Sequence, residues 1–157
     1  NNAVIKDHVT IDSSKIQDSS VDEYTTIGPM SHLRNNTHVG KHCRIGNFVE
    51  FKNTNFGDGS KCAHLTYVGD SDVGKNVNFG CGVVTVNYDG KNKFRTTIKD
   101  GAFIGSNVNL IAPVTIGENA LLAAGSTITD DVEDGDMGIA RNRQSNKEGY
   151  GTQYKNK

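Results

Sequence analysis

Two cations in this chain stand where a small residue is the habit. Leu33 is followed by Arg34 and Phe51 by Lys52, eighteen positions apart. Two like charges held one above the other repel, which makes sense where an anion sits between them. Arginine offers a rigid fork and lysine a mobile point charge, and both suit phosphate. A second feature is "AHLTY" over residues 63–67, where His64 follows Cys62 by two positions and so falls on an outward site. Histidine is the side chain best poised to move a proton near neutral pH. A third is "TVNYDGKNKFRTT", residues 85–97, where Lys93 and Arg95 stand close to Tyr88 and Asp89. Asp89-Gly90 marks a turn there. The stretch is a candidate for a third phosphate contact or for an arm into a neighbouring subunit. The other histidines, His8, His32, His38 and His42, suggest no chemistry. Three of them cluster in sequence, but their spacing scatters them over corners and faces, so no zinc site of the three-histidine kind is expected.

The elements that must position these groups follow from a beat in the chain. One register runs Ile5, Ile11, Ile16, Val21, Ile27, Leu33, Val39, Ile45, Phe51, Phe56, Cys62, Val68, Val73, Phe79 and Thr85, then Ile98, Ile104, Leu110, Ile116, Leu122 and Ile128. Of its twenty intervals fifteen are six residues, four are five, and one is thirteen. Glycine often follows the marked residue, and a small or β-branched residue recurs four positions after it, as at Ser31, Thr37, Cys43, Val49, Ala102 and Val108. A period of six fits no helix. It fits a short strand plus a corner, with the marked residue and the small one before it both facing inward. Glycine is expected at the corner for its tolerance of unusual backbone angles. Three such sides close a triangular coil, the hexapeptide parallel β-helix, here of about seven coils. Arg34 and Lys52 then lie one coil, ~5 Å, apart. The thirteen-residue interval is one side plus a protruding loop, residues 86–97. The prism is expected over 1–130 and an irregular polar tail over 131–157, with "TQYKNK" disordered.

Composition agrees. The chain of 157 residues is 34% hydrophobic, with eighteen glycines and two prolines, which suits a narrow core and many turns. A net charge of −1 makes it no electrostatic magnet for nucleic acid or membranes. No stretch resembles a signal peptide or a membrane span. Cys43, Cys62 and Cys81 lack any Cys-x-x-Cys spacing, and read as free thiols in a reducing cytoplasm. The chain opens Asn1-Asn2 and is in the repeat by Ile5, which reads as a piece of a longer protein. No P-loop or G-x-G-x-x-G is present.

"GNFVEFKN", "AHLTYVGDSDVG", "VNFGCGVVTVNYDGKNKFRTTI", "FIGSNVNLIAPVTIGENALLAAGSTIT" and "RQSNKEGY" resemble the C-terminal domain of the bacterial bifunctional N-acetylglucosamine-1-phosphate uridylyltransferase/glucosamine-1-phosphate N-acetyltransferase family. The likeness is continuous from about Ile27 to Tyr150, and the uridylyltransferase domain has no counterpart here. The resemblance implies an all-β, left-handed parallel β-helix and a homotrimer with active sites between subunits. The implied reaction is acetyl transfer from acetyl-CoA to glucosamine 1-phosphate for UDP-N-acetylglucosamine and cell-wall synthesis, in the cytoplasm and with no metal required. It makes His64 the general base, Glu50 the carboxylate that orients it, and Ser106 a hydrogen-bond donor to the leaving thiolate. Arg34, Lys52, Tyr67, Asn78 and Lys93 would hold the sugar phosphate. Cys81 (through its backbone N–H), Asn87, Tyr88, Ser106, Ala124 and Arg141 would surround acetyl-CoA. The tail departs from the family, with Asn142-Arg143 where Val-Pro is common. Two rival readings are a hexapeptide acyltransferase for another amine or hydroxyl, and a non-catalytic prism. The second would need a flat ladder of threonines, which the chain lacks.

Overall fold

In the computed structural model, which describes residues 2–155, the beat becomes three walls of a parallel β-prism. One wall stacks Ile11, Ile27, Ile45, Cys62, Phe79, Ile104 and Leu122. The second stacks Ile16, Leu33, Phe51, Val68, Thr85, Leu110 and Ile128. The third stacks Ile5, Val21, Val39, Phe56, Val73, Ile98 and Ile116. From Val21 to Ile128 every marked residue is buried, and so are the small residues four positions on, among them Ser31, Thr37, Val49, Ala102, Val108 and Ser126. Phe51, Phe56 and Phe79 pack ring to ring in the middle of the column, at 4.8 and 5.9 Å. Several inward hydroxyls are satisfied by the next coil. Thr25, Ser31 and Ser60 donate to the carbonyls of Gly40, Gly46 and Gly74. A core lined partly by such residues needs few aliphatics, which accounts for the low hydrophobic content.

Three expectations change. Except at Gly28, with φ 108°, the corner conformation does not fall on the glycine after the marked residue. At many corners it falls three residues after the marked one, where Met30, Asn36, His42, Phe48, Leu65, Asn76, Asn107 and Asn119 all have φ between 45° and 60°. The glycine answers instead to crowding. A Cβ on Gly46 would run into the Ala63 carbonyl of the next coil, and one on Gly105 would lie 2.6 Å from the Ala124 nitrogen. The ladder also outlasts the beat. Val132 bridges Ile116, and Met137–Gly138 pairs with Leu121–Leu122, giving about eight turns rather than seven. These last sides lack a large inward aliphatic, since Gly138 faces Leu122, so periodicity alone does not reveal them. Tyr150–Lys155 forms a short helix where disorder is expected; the last two residues of "TQYKNK" lie outside the described residues. Among the described residues no helix is long and apolar enough to cross a membrane.

Candidate active site

Each wall ends at a corner, and the stacked corners form three edges. The edge after the second wall carries Arg34 and Lys52, which are direct register partners one coil apart, as their spacing predicts. Each cation has its own carboxylate. Arg34 donates through Nε and Nη2 to Glu50 Oε1, both at 2.7 Å, while Lys52 Nζ donates to Asp70 Oδ2 at 3.3 Å. Asp70 is 5% exposed and also accepts from Asn53 Nδ2 at 2.6 Å and from Asn87 Nδ2. Burial disfavours the Asp70 charge, but these donors outweigh it and hold the carboxyl below its ordinary range. A small cavity lined by Asn35, Asn36, Lys52, Asn53, Asp70 and Lys93 opens at this edge.

The loop springs from the same edge and folds as a miniature hairpin. Tyr88 bridges Lys93, Phe94 N–H donates to the Asn87 carbonyl, and Asp89 Oδ1 caps the N–H groups of Lys91 and Asn92. Gly90, at φ 98°, completes the turn. Arg95 staples the loop to the third wall. It grips both Asp72 oxygens, at 2.7 and 2.9 Å, and donates to the carbonyls of Ser71 and Asn53. This brings Lys93 beside Lys52. The repulsion from Lys52 pushes the exposed Lys93 ammonium below its ordinary pKa. Burial works against the Lys52 charge, and the Asp70 carboxylate beside it raises its pKa in return.

The edge before the second wall holds His64. Its carbonyl accepts from Gly82 N–H at 3.5 Å, the Cys81 carbonyl from Asn107 N–H at 2.8 Å, and the Ser106 carbonyl from Gly125 N–H at 2.8 Å. Arg141 Nη1 donates to the Ala124 carbonyl at 2.6 Å. His64, Cys81, Ser106, Ala124 and Arg141 therefore form one ascending column. Cys81 is the partly exposed thiol of the three; Cys43 and Cys62 are buried, with burial pushing their thiols up to about 11 and about 12. Below His64 stand three large apolar residues at left-handed corners, Met30, Phe48 and Leu65, each more than half exposed.

Between the two edges the second wall presents Glu50 with Tyr67 above it. The Tyr67 ring lies over Gly69, where a Cβ would come within 2.6 Å of Cζ, and so leans toward Lys52. Asn78 lies on the first wall, three residues before Cys81 of the column. The expected Glu50–His64 contact is not made within this chain. Glu50 pairs with Arg34, and His64 Nδ1 is bonded to Asn47 Oδ1 at 3.0 Å, its register partner. Asn87 and Tyr88 likewise sit on the Lys52 edge and not on the column. Asn47 and Asp70 are the polar partners that motif reading missed. Both lie seventeen residues from a group it had found, Asn47 from His64 and Asp70 from Asn87, so coil spacing could have located them. His32, His38 and His42 are dispersed as expected. His32 meets Gln17, His38 meets Ser20, and His42 stacks on Tyr24.

Over residues 95–130 the chain matches the family described as bacterial transferase hexapeptide (six repeats). It is 55% identical over 149 residues to the bifunctional protein GlmU of Exiguobacterium sp. (strain ATCC BAA-1283 / AT1b), covering 95% of this chain and 33% of that protein. It is 61% identical over 142 residues to GlmU of Shouchella clausii, covering 90% and 31%. The chain thus spans about a third of the length of the curated relatives it matches. In fold it is similar to AntD, an N-acyltransferase from Bacillus cereus crystallised with dTDP and 3-hydroxybutyryl-CoA. The TM-score is 0.59 and the identity 14%, over 98% of this chain and 87% of that one.

Proposed function

We propose that this chain is the acetyltransferase third of a GlmU-type protein, moving acetyl from acetyl-CoA to the amine of glucosamine 1-phosphate at a site shared by two copies of the chain. The observation that carries the proposal is the pair of edges: a cation clamp on one, a histidine column on the other.

The substrate's own geometry favours sharing. Its amine and phosphate sit on adjacent carbons, four bonds apart, so nitrogen and phosphorus lie within about 5 Å of each other. His64 stands level with Asn47, and Asn47 and Lys52 are five residues apart along one wall, up to roughly 15 Å. Lys52 is also turned away around the far corner toward Asp70. With its clamp and its histidine on different edges, one chain is poorly placed to bring both to one substrate. A trimer of parallel prisms lets the clamp edge of one copy face the column of the next. The exposed column of Met30, Phe48 and Leu65 beside His64 favours such a contact, since large apolar residues at left-handed corners are uncommon and here meet solvent. In that arrangement Glu50 would join Asn47 in accepting from Nδ1 of the neighbouring copy's His64, and Asn87 and Tyr88 would face the column.

The residues then divide the work. Arg34, Lys52 and Lys93 bind the phosphate, and Tyr67 and Asn78 line the sugar. With Nδ1 held by Asn47, His64 offers Nε2 as the base that takes a proton from the substrate ammonium and frees the lone pair to attack. Acetyl-CoA supplies the activated acyl group. The column fits it, being built of small residues, Cys81, Ser106 and Ala124, that end in the exposed guanidinium of Arg141. The Cys81 backbone N–H would face the carbonyl oxygen as it gains charge, and the Ser106 hydroxyl would donate to the departing sulfur. Placing both substrates in one cleft supplies much of the remaining acceleration.

The test is thiol release from acetyl-CoA with glucosamine 1-phosphate, glucosamine and glucosamine 6-phosphate as acceptors. Turnover confined to the 1-phosphate supports the reading. Equal turnover of all three, or none, overturns it, and equal turnover favours an acyltransferase for another acceptor.

A further inference from the structure

The carboxylate inside the phosphate clamp needs an explanation. An anion site should exclude negative charge, yet Asp70 is buried among its cations. Its Oδ2 serves two masters, the Lys52 ammonium and the Asn87 amide, while Oδ1 takes Asn53. Asn87 is itself buried and is the root from which the loop leaves the wall. Resting on the reading above, we propose that Asp70 is a positioning residue that fixes the acceptor and donor sides of the site relative to each other. It touches neither substrate. It holds the lysine that binds the sugar phosphate and the asparagine that faces acetyl-CoA through the same oxygen, so neither can shift without the other.

Charge and position give opposite signs, which makes the idea testable. Arg34, Lys52 and Lys93 are three cations against two carboxylates, Glu50 and Asp70. If Asp70 acted only as local charge, Asp70→Asn would leave a more positive clamp and tighten the sugar phosphate. If it positions, the same isosteric change frees Lys52 and Asn87 and weakens both substrates.

The experiment is Asp70→Asn in the full chain, read by steady-state kinetics and by tryptic cleavage after Lys91, Lys93 or Arg95 in the folded protein. The expected result is a rise in KM for both glucosamine 1-phosphate and acetyl-CoA of roughly 5- to 50-fold, with kcat changed by less than about threefold, as for loss of a charge-assisted bond that places a binding group. Loop cleavage should quicken. An unchanged or lowered KM for the sugar phosphate overturns the proposal, as does a fall in kcat alone. Should Asp70→Asn fail to fold, Lys52→Met with Asp70→Asn removes both charges together. Its loop should be cut faster than that of Lys52→Met alone, and equal rates overturn the proposal. A wild-type chain inactive on glucosamine 1-phosphate would sink the assigned reaction, while the cleavage comparison would still decide the role of Asp70.

Discussion

At the scale of single residues the account rests on His64 and on the two stacked cations. Asn47 Oδ1 accepts a hydrogen bond from Nδ1–H of His64 and so favours the tautomer with a basic Nε2. His64→Ala should lower kcat by about 10²- to 10⁴-fold and leave both KM values near wild type, as steady-state thiol release would register. Lys52→Ala should cost roughly 10- to 150-fold in kcat/KM for glucosamine 1-phosphate, the equivalent of one charge-assisted hydrogen bond. The same variant should match wild type on glucosamine at high concentration, and a comparable loss there would remove the phosphate from the argument. The stacking of these cations was legible from their eighteen-residue separation, because coil period is a property of the backbone. Their pairing with carboxylates was only half legible. Coil spacing places Asp70 one coil from Lys52, whereas Glu50 turns to Arg34 because of the way the corner directs its side chain, and no period reports that.

Among elements the loop is the one that departs from the repeat, and Arg95 is what fastens it. Arg95 is the leading influence on the Asp72 carboxyl and holds its pKa below the ordinary range. The sign follows from the depression: the pair's contribution is complete above the unfolded value of about 3.9 and drains as pH falls through the lower folded value. The loop should therefore loosen in acid before the walls do, since their core is held by uncharged groups. Hydrogen exchange across residues 87–95, corrected for intrinsic rates, would measure this. Arg95→Ala should show the loosened loop at neutral pH and little further change on acidification, with a raised KM for the sugar phosphate as Lys93 leaves Lys52. Unaltered protection in the variant would mean the hairpin's own bonds suffice. The turn at Asp89-Gly90 could be read from the residues, whereas the staple could not. Arg95 and Asp72 are 23 residues apart, most of a coil plus most of the loop, and only the loop's path brings them together.

For the whole molecule, the beat yielded the core nearly residue by residue, since inward and outward positions alternate along every side. It stopped short at Val132 and Gly138, which continue the ladder without a large aliphatic to announce it. The least legible property was the division of the site. Motif reading collects His64, Glu50, Lys52 and Asn87 as one set, and the folded chain puts His64 on one edge of a wall, Lys52 and Asn87 on the other, and Glu50 between them, paired with Arg34. That division leads to the central claim, an acetyl transfer carried out where two copies meet. Co-expression of His64→Ala and Lys52→Ala chains under two different tags, with tandem purification of mixed assemblies, tests it most directly. Every mixed trimer then has one interface in three with an intact histidine column facing an intact clamp, so thiol release should recover to about a third of the wild-type rate per trimer. Activity no higher than that of the two single variants would place histidine and clamp in one chain and contradict the account.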